Sequence, residues 1–139
     1  MNNEVENVSY KANKSENGAK NPLLKWESLK RTITTFEYVK DNEFPKKLEF
    51  IIEIPDFEIA SGEVVVMTGD TGVGKTTILS ALGMADLSFN GKVHIAKKKE
   101  VESENDYFVI EDGKSHHGNI EEIRKRIGIV FQDLDSHKF

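Results

Sequence analysis

The chain of 139 residues has no cysteine, three prolines and one tryptophan. Without cysteine there is neither a disulfide nor a thiolate metal site, a composition that suits a reducing compartment. Long apolar runs are missing as well. The longest, around Phe50-Ile51-Ile52 and Val64-Val65-Val66-Met67, fall far short of the ~20 residues that cross a bilayer, so membrane association is expected only through a partner. Residues 1–21 lack the apolar stretch of a signal peptide. Rich in Asn, Lys, Glu and Ser, they are expected to form a flexible polar tail ahead of one folded unit over 22–139. The net charge of −5 argues against a nucleic-acid partner, and the basic runs Lys46-Lys47 and Lys97-Lys98-Lys99 read as solvated loops. His94, His116, His117 and His137 are the only histidines and no cysteine joins them; a metal site would need carboxylates at ligand spacing, and His116-His117, between Ser115 and Gly118, reads as a surface loop. Glu111-Asp112 and Glu121-Glu122 are sequence neighbours that face different ways, which excludes catalytic dyads.

What the chain does have is Gly69-Asp70-Thr71-Gly72-Val73-Gly74-Lys75-Thr76, a match to G-x-x-x-x-G-K-S/T. Glycines at these positions let the backbone visit φ > 0 and bring its amides close to anionic oxygen with no Cβ in the way. Lys75 supplies a compact charge for the β- and γ-phosphates and Thr76 a hydroxyl for Mg²⁺. The following helix adds the positive end of its dipole. The context agrees: Val64 to Thr68 reads as a buried parallel strand, and Thr77 to Leu82 is spaced as a helix.

Elsewhere, Thr32 to Val39 alternates as a first strand, and Leu48 to Ile54 and Phe57 to Ile59 form further strands around Pro55, giving an antiparallel sheet edge. Ser61-Gly62-Glu63 is a tight turn. Asn90-Gly91 reads as a hairpin turn, followed by strands at Lys92 to Ile95 and Tyr107 to Ile110. The charged stretch from Lys97 to Asp106 is expected to be an exposed excursion. Asn119 is placed to cap a short helix with Glu121–Lys125 and Glu122–Arg126 pairs. Ile127 to Phe131 reads as another buried parallel strand, with Gln132 at its carboxyl end.

Taken in order, Phe57-x-Ile59, Gly62-Glu63, the glycine loop with Thr77, Gly91-Lys92-Val93 and Arg126-Ile127-Gly128-Ile129-Val130-Phe131-Gln132-Asp133 resemble the front half of an ATP-binding-cassette (ABC) ATPase. The resemblance covers about residues 31 to 139. It implies an α/β phosphate-loop NTPase fold with an antiparallel β subdomain, incomplete at the C-terminus. Carried over by position, Gly69, Asp70, Thr71, Gly72, Val73, Gly74, Lys75, Thr76 and Thr77 would bind the triphosphate of ATP, and Thr76 and Gln132 would hold Mg²⁺. Lys75 and Gln132 would take part in the chemistry, with Gln132 sensing the γ-phosphate from a place in an octahedral Mg²⁺ shell. Tyr38 resembles the aromatic residue on which adenine stacks. Phe131 to Phe139 is similar to a stretch of energy-coupling-factor and cobalt-type importers, with Leu134 and His137 replacing the usual Pro and Gln.

The resemblance further implies transmembrane transporter subunits and a second ABC ATPase domain, joined head to tail, as partners. It places the chain in the cytoplasm, against the inner face of the cell membrane. No Leu-Ser-Gly-Gly-Gln-like signature, no apolar strand ending in Asp-Glu and no downstream switch histidine is present. Binding is therefore expected to survive and turnover is not, because phosphoryl transfer needs charges placed around its transition state. The rival readings are a noncatalytic nucleotide-binding fragment, a soluble ABC ATPase unconnected with transport, and a GTPase or small-molecule kinase. The last lacks an Asn-Lys-x-Asp base-reading motif after the loop.

Overall fold

The computed structural model describes residues 9–12, 21–41, 44–69, 74–116 and 118–130. In chain order its elements are β1 (Ser9–Ala12), β2 (Leu24–Glu37), β3 (Lys46–Ile54), β4 (Phe57–Ile59), β5 (Val65–Thr68), α1 (Lys75–Leu82), β6 (Asn90–Ala96), β7 (Tyr107–Glu111), β8 (Lys114–Ser115) and α2 (Ile120–Arg124).

Strand β2 is the spine. Its far half pairs antiparallel with β3, from Leu29 opposite Ile54 to Glu37 opposite Lys46. Its near half pairs with β4 on one side and β6 on the other. β7 and β8 extend the sheet in the order β3-β2-β6-β7-β8. The break between β3 and β4 falls at Pro55, which has no N–H for a ladder. There Trp26 Nε1 donates to the Pro55 carbonyl at 2.9 Å and the Ser28 N–H to Asp56 Oδ1 at 2.7 Å. The antiparallel β subdomain expected from the strand pattern is thus present.

Alternation buries one face of this sheet. Trp26, Ile52, Ile54, Val93, Ile95, Phe108 and Ile110 meet Ile78, Ala81 and Leu82 of α1, with Ile123 of α2, Met84 and Phe89 closing the core. Each such side chain contributes about 1.5–3 kcal/mol of transfer free energy, which holds the short α1 in place. Helix α2 begins where Asn119 was expected to cap it: Asn119 Oδ1 accepts the Glu121 N–H at 3.0 Å. Of its expected ion pairs neither forms. Glu121 pairs instead with Arg124 at 2.8 Å, one residue short of Lys125 because the helix ends there. Arg126 lies over the Phe108 ring, 5.5 Å from its centre.

Five further expectations are corrected. Gly91 makes no hairpin turn. It lies within β6 at φ 101°, opposite a register shift in β2 where Ser28 has φ 52°, so its special backbone serves a bulge. A Cβ on Gly91 would collide with the Ser28 carbonyl. The hairpin turn lies instead at Asp112-Gly113, where two successive positive φ values join β7 to β8. Residues 97–106 are not simply an excursion. Val101 is buried with Ala96, Tyr107 and Leu23, and Asp106 folds the loop by accepting the Glu102 and Ser103 N–H groups.

Strand β5 is neither parallel nor fully buried. It pairs antiparallel with β1, Ser9 opposite Thr68, leaving Val64 and Val66 exposed. This brings residues 9–12 out of the stretch read as a flexible tail, and it satisfies β5 backbone groups that would otherwise lack partners. Residues 127–130 form no strand. Ile127 packs on the core and Ile129 lies against Gly83, so the apolar run is held by side-chain packing rather than by a ladder.

Candidate nucleotide site

Strand β5 leads through Gly69 to Gly74, the residue before α1. Gly74 has φ 94° and ψ 16°, left-handed values that an L side chain resists, and its carbonyl accepts the first helical bond, from the Ile78 N–H at 3.0 Å. Ile52 of β3 closes in behind it. A Cβ on Gly74 would stand 2.5 Å from Ile52 Cδ1, so a side chain here would have to displace the end of Ile52 as well as accept a left-handed torsion.

The residue before helix α1 is a glycine, which has no side chain to cap it, and the first turn holds no acidic residue. A helix start of this kind presents its first amides and the positive end of its dipole to an anion. Lys75 curls back so that Nζ donates to the Gly69 carbonyl at 2.5 Å, spanning the loop from its last element to its first. Thr76, the expected Mg²⁺ ligand, is exposed, and Thr77 is half-buried beside it. Among the described residues no group of His, Asp and Glu could hold a metal ion by itself. A magnesium ion arriving with a nucleotide, bound by one hydroxyl and phosphate oxygens, fits this donor set.

An open groove of about 370 Å³ runs along α1, lined by Arg31 and Ile33 of β2, Thr76, Thr77 and Ser80 of α1, and Ala85 and Asp86 beyond it. Tyr38 follows the last residue of β2 and is 83% exposed, so its ring is available to a ligand. Asp70, Thr71, Gly72, Val73 and Gln132 lie outside the described residues. The structure thus brings together Gly69, Gly74, Lys75, Thr76 and Thr77. It also adds two groups that sequence reasoning missed, Arg31 and Asp86. Asp86 stands two residues before Ser88, an Asx-turn pattern that can be read locally, but its pairing with the sequence-remote Arg31 has no local signal.

A strand, a glycine-bounded loop and a helix that opens on Lys-Thr define the phosphate-loop nucleotide-binding class. Within that class the chain belongs to the ABC transporter family, whose profile matches residues 52–139. It is 29% identical over 109 residues to the energy-coupling factor transporter ATP-binding protein EcfA2 of Clostridium tetani, covering 76% of this chain and 31% of that protein. It is 30% identical over 101 residues to a putative ABC transporter ATP-binding protein of Methanosarcina mazei, covering 69% of this chain and 15% of the other. A shorter match, 39% over 44 residues, joins it to the lipoprotein-releasing system ATP-binding protein LolD of Xanthomonas campestris, with 32% and 18% covered. The chain thus spans about a third or less of the length of these curated relatives. No solved structure matches. Among the described residues no helix is long and apolar enough to cross a membrane.

Proposed function

We propose that this chain is the nucleotide-binding front part of an ATP-binding subunit of an ABC transporter, taking MgATP at the loop between β5 and α1. The observation that carries this reading is the pairing of a left-handed, side-chain-free Gly74 at the helix start with a lysine, Lys75, whose Nζ reaches back to the Gly69 carbonyl. In this reading the Gly69–Thr77 segment, including Asp70, Thr71, Gly72 and Val73, rings the phosphates, and Lys75 neutralises them. Thr76 and Gln132 complete the Mg²⁺ shell, and the metal when bound supplies charge neutralisation of the triphosphate. Lys75 gives up its bond to the Gly69 carbonyl to reach the phosphates, exchanging a neutral acceptor for a charged one.

Tyr38 serves as the adenine platform. The geometry that supports this is the course of β2: Ile33 lines the groove with Thr76 and Thr77, and the strand continues past it to Glu37. In this reading the exposed ring of Tyr38, next after Glu37, takes the base.

Membrane-spanning subunits and a second ATPase domain would be the partners, with the chain on the cytoplasmic face. The printed names of its relatives, an energy-coupling factor component and a lipoprotein-releasing component among them, support a transport role without selecting a substrate. The test is binding of MgATP by equilibrium titration to the wild-type chain and to Lys75→Ala. The reading expects saturable binding that weakens at least about tenfold in the variant, the scale of a lost charge-assisted contact. Equal affinity in the two proteins would reject it.

A further inference from the structure

The groove beside α1 ends in a three-way clasp that neither the phosphate loop nor the family assignment explains. Arg31 Nη2 lies 3.1 Å from Asp86 Oδ2, and its Nη1 donates to the Ser88 carbonyl at 2.5 Å. Asp86 Oδ1 in turn accepts the Ser88 N–H at 2.9 Å, and the Asp86 and Ala85 N–H groups bond back to the Ser80 carbonyl on α1 at 3.0 and 2.9 Å. The guanidinium is half-buried, and its Nε is buried with no hydrogen-bond partner. A planar fork held at two corners with its inner donor sealed off has little freedom to reorient.

The position of Arg31 on the sheet gives this contact leverage. Arg31 is the cross-strand partner of Ile52, and such partners project to the same face of the sheet. Ile52 is also the side chain packed against Gly74 at the start of α1. A single rung of the sheet therefore braces both ends of the helix, Ile52 at its phosphate end and Arg31 at the turn behind its last residue. From that rung β2 runs on through Ile33 to Glu37, about 20 Å at about 3.3 Å per residue, and delivers Tyr38.

We infer that Arg31 and Asp86 are positioning residues that fix the phosphate-loop helix against the strand carrying the nucleoside-binding side, so that they govern recognition of the nucleoside and not of the phosphates. This rests on the nucleotide reading of the site. Loosening the clasp lets α1 slide along β2 at its far end, while Gly74, still packed against Ile52, keeps the start of the helix in place for the phosphates. The ligand class for which the spacing matters is one with a purine nucleoside at one end and a polyphosphate at the other.

The experiment compares affinities for MgATP and for magnesium tripolyphosphate in the wild type, Arg31→Gln, Asp86→Asn and the exchanged pair Arg31→Asp/Asp86→Arg. The wild type is expected to prefer ATP. In each single variant that preference should fall by about fivefold, the scale of a partly buried ion pair, while tripolyphosphate affinity stays within about twofold. The exchanged pair should recover part of the preference. Should Arg31→Gln lose its fold, Arg31→Lys, which keeps the charge but cannot bridge both Asp86 and Ser88, should show a smaller loss of the same kind. An unchanged preference, or equal weakening toward both ligands, overturns the clasp while leaving the phosphate loop standing. A wild type that binds neither ligand overturns the nucleotide reading itself, and the clasp with it.

Discussion

Ile52 Cδ1 occupies the space that a Cβ on Gly74 would need, 2.5 Å away. The sheet therefore reaches the last glycine before α1 directly, and Gly74 is backed by a core side chain. Gly74→Ala should meet two separate penalties, the contact with Ile52 and about 1–2 kcal/mol for placing an L residue in a left-handed conformation. Thermal denaturation should show a lower Tm for Gly74→Ala. Adding Ile52→Val should recover only the steric share. Full recovery in the double variant would show that torsion at residue 74 is unimportant.

Asn119 ties α2 to its first turn through the Glu121 N–H, and α2 in turn holds the segment after α1 through Arg124 Nε donating to the Met84 carbonyl at 2.9 Å. Asn119→Ala should cost about 1 kcal/mol, and Asn119→Asp should be nearly neutral. Chemical denaturation would measure both, and an equal loss in the two variants would contradict the capping role.

His94 on β6 is buried, with both ring nitrogens lacking hydrogen-bond partners and Glu27 Oε2 too distant at 3.8 Å. Burial holds its pKa below the ordinary 6.5, and the Lys25 charge acts the same way against the weaker pull of Glu27 and Glu104. The unfolded chain therefore takes up this proton before the folded one does. Stability from His94 is complete above pH 6.5, falls as pH drops below that value, and levels off only under the depressed folded pKa. Denaturation curves for the wild type and His94→Phe should diverge between pH 7 and 5, with the variant flatter. Parallel curves would show that His94 is hydrated and titrates normally.

The sequence of these 139 residues contains no apolar strand ending in Asp-Glu to polarise an attacking water. A polypeptide of this sequence should bind MgATP yet release phosphate at the background rate in a steady-state assay. Turnover that disappears in Lys75→Ala would show that the chemistry needs fewer groups than argued.

The antiparallel subdomain was legible because β2, β3, β6 and β7 carry period-two alternation, and α1 because the loop motif announces it. What escaped was decided by distant contacts. Val64 to Thr68 looks like a strand buried on both faces, but its direction and cover depend on which strand pairs with it, and Ser9–Ala12 does so from a stretch whose composition suggests no structure. Asn90-Gly91 carries a turn signature that the bulge at Ser28 uses for another purpose. Val101 is a single apolar residue in a charged run, too little to reveal that the run folds back onto Tyr107. In the site, Lys75, Thr76 and Thr77 were named by motif. The grip of Arg31 on Asp86 depends on the fold bringing two sequence-remote charges together.

The most direct measurement is a fluorescence titration of the folded wild-type chain with a labelled ATP analogue in the presence of Mg²⁺, followed by displacement with unlabelled tripolyphosphate. The account predicts a single saturable site whose signal tripolyphosphate removes, because the backbone and Lys75 hold the phosphates. A folded sample that shows no saturable uptake, or uptake indifferent to tripolyphosphate, would contradict it.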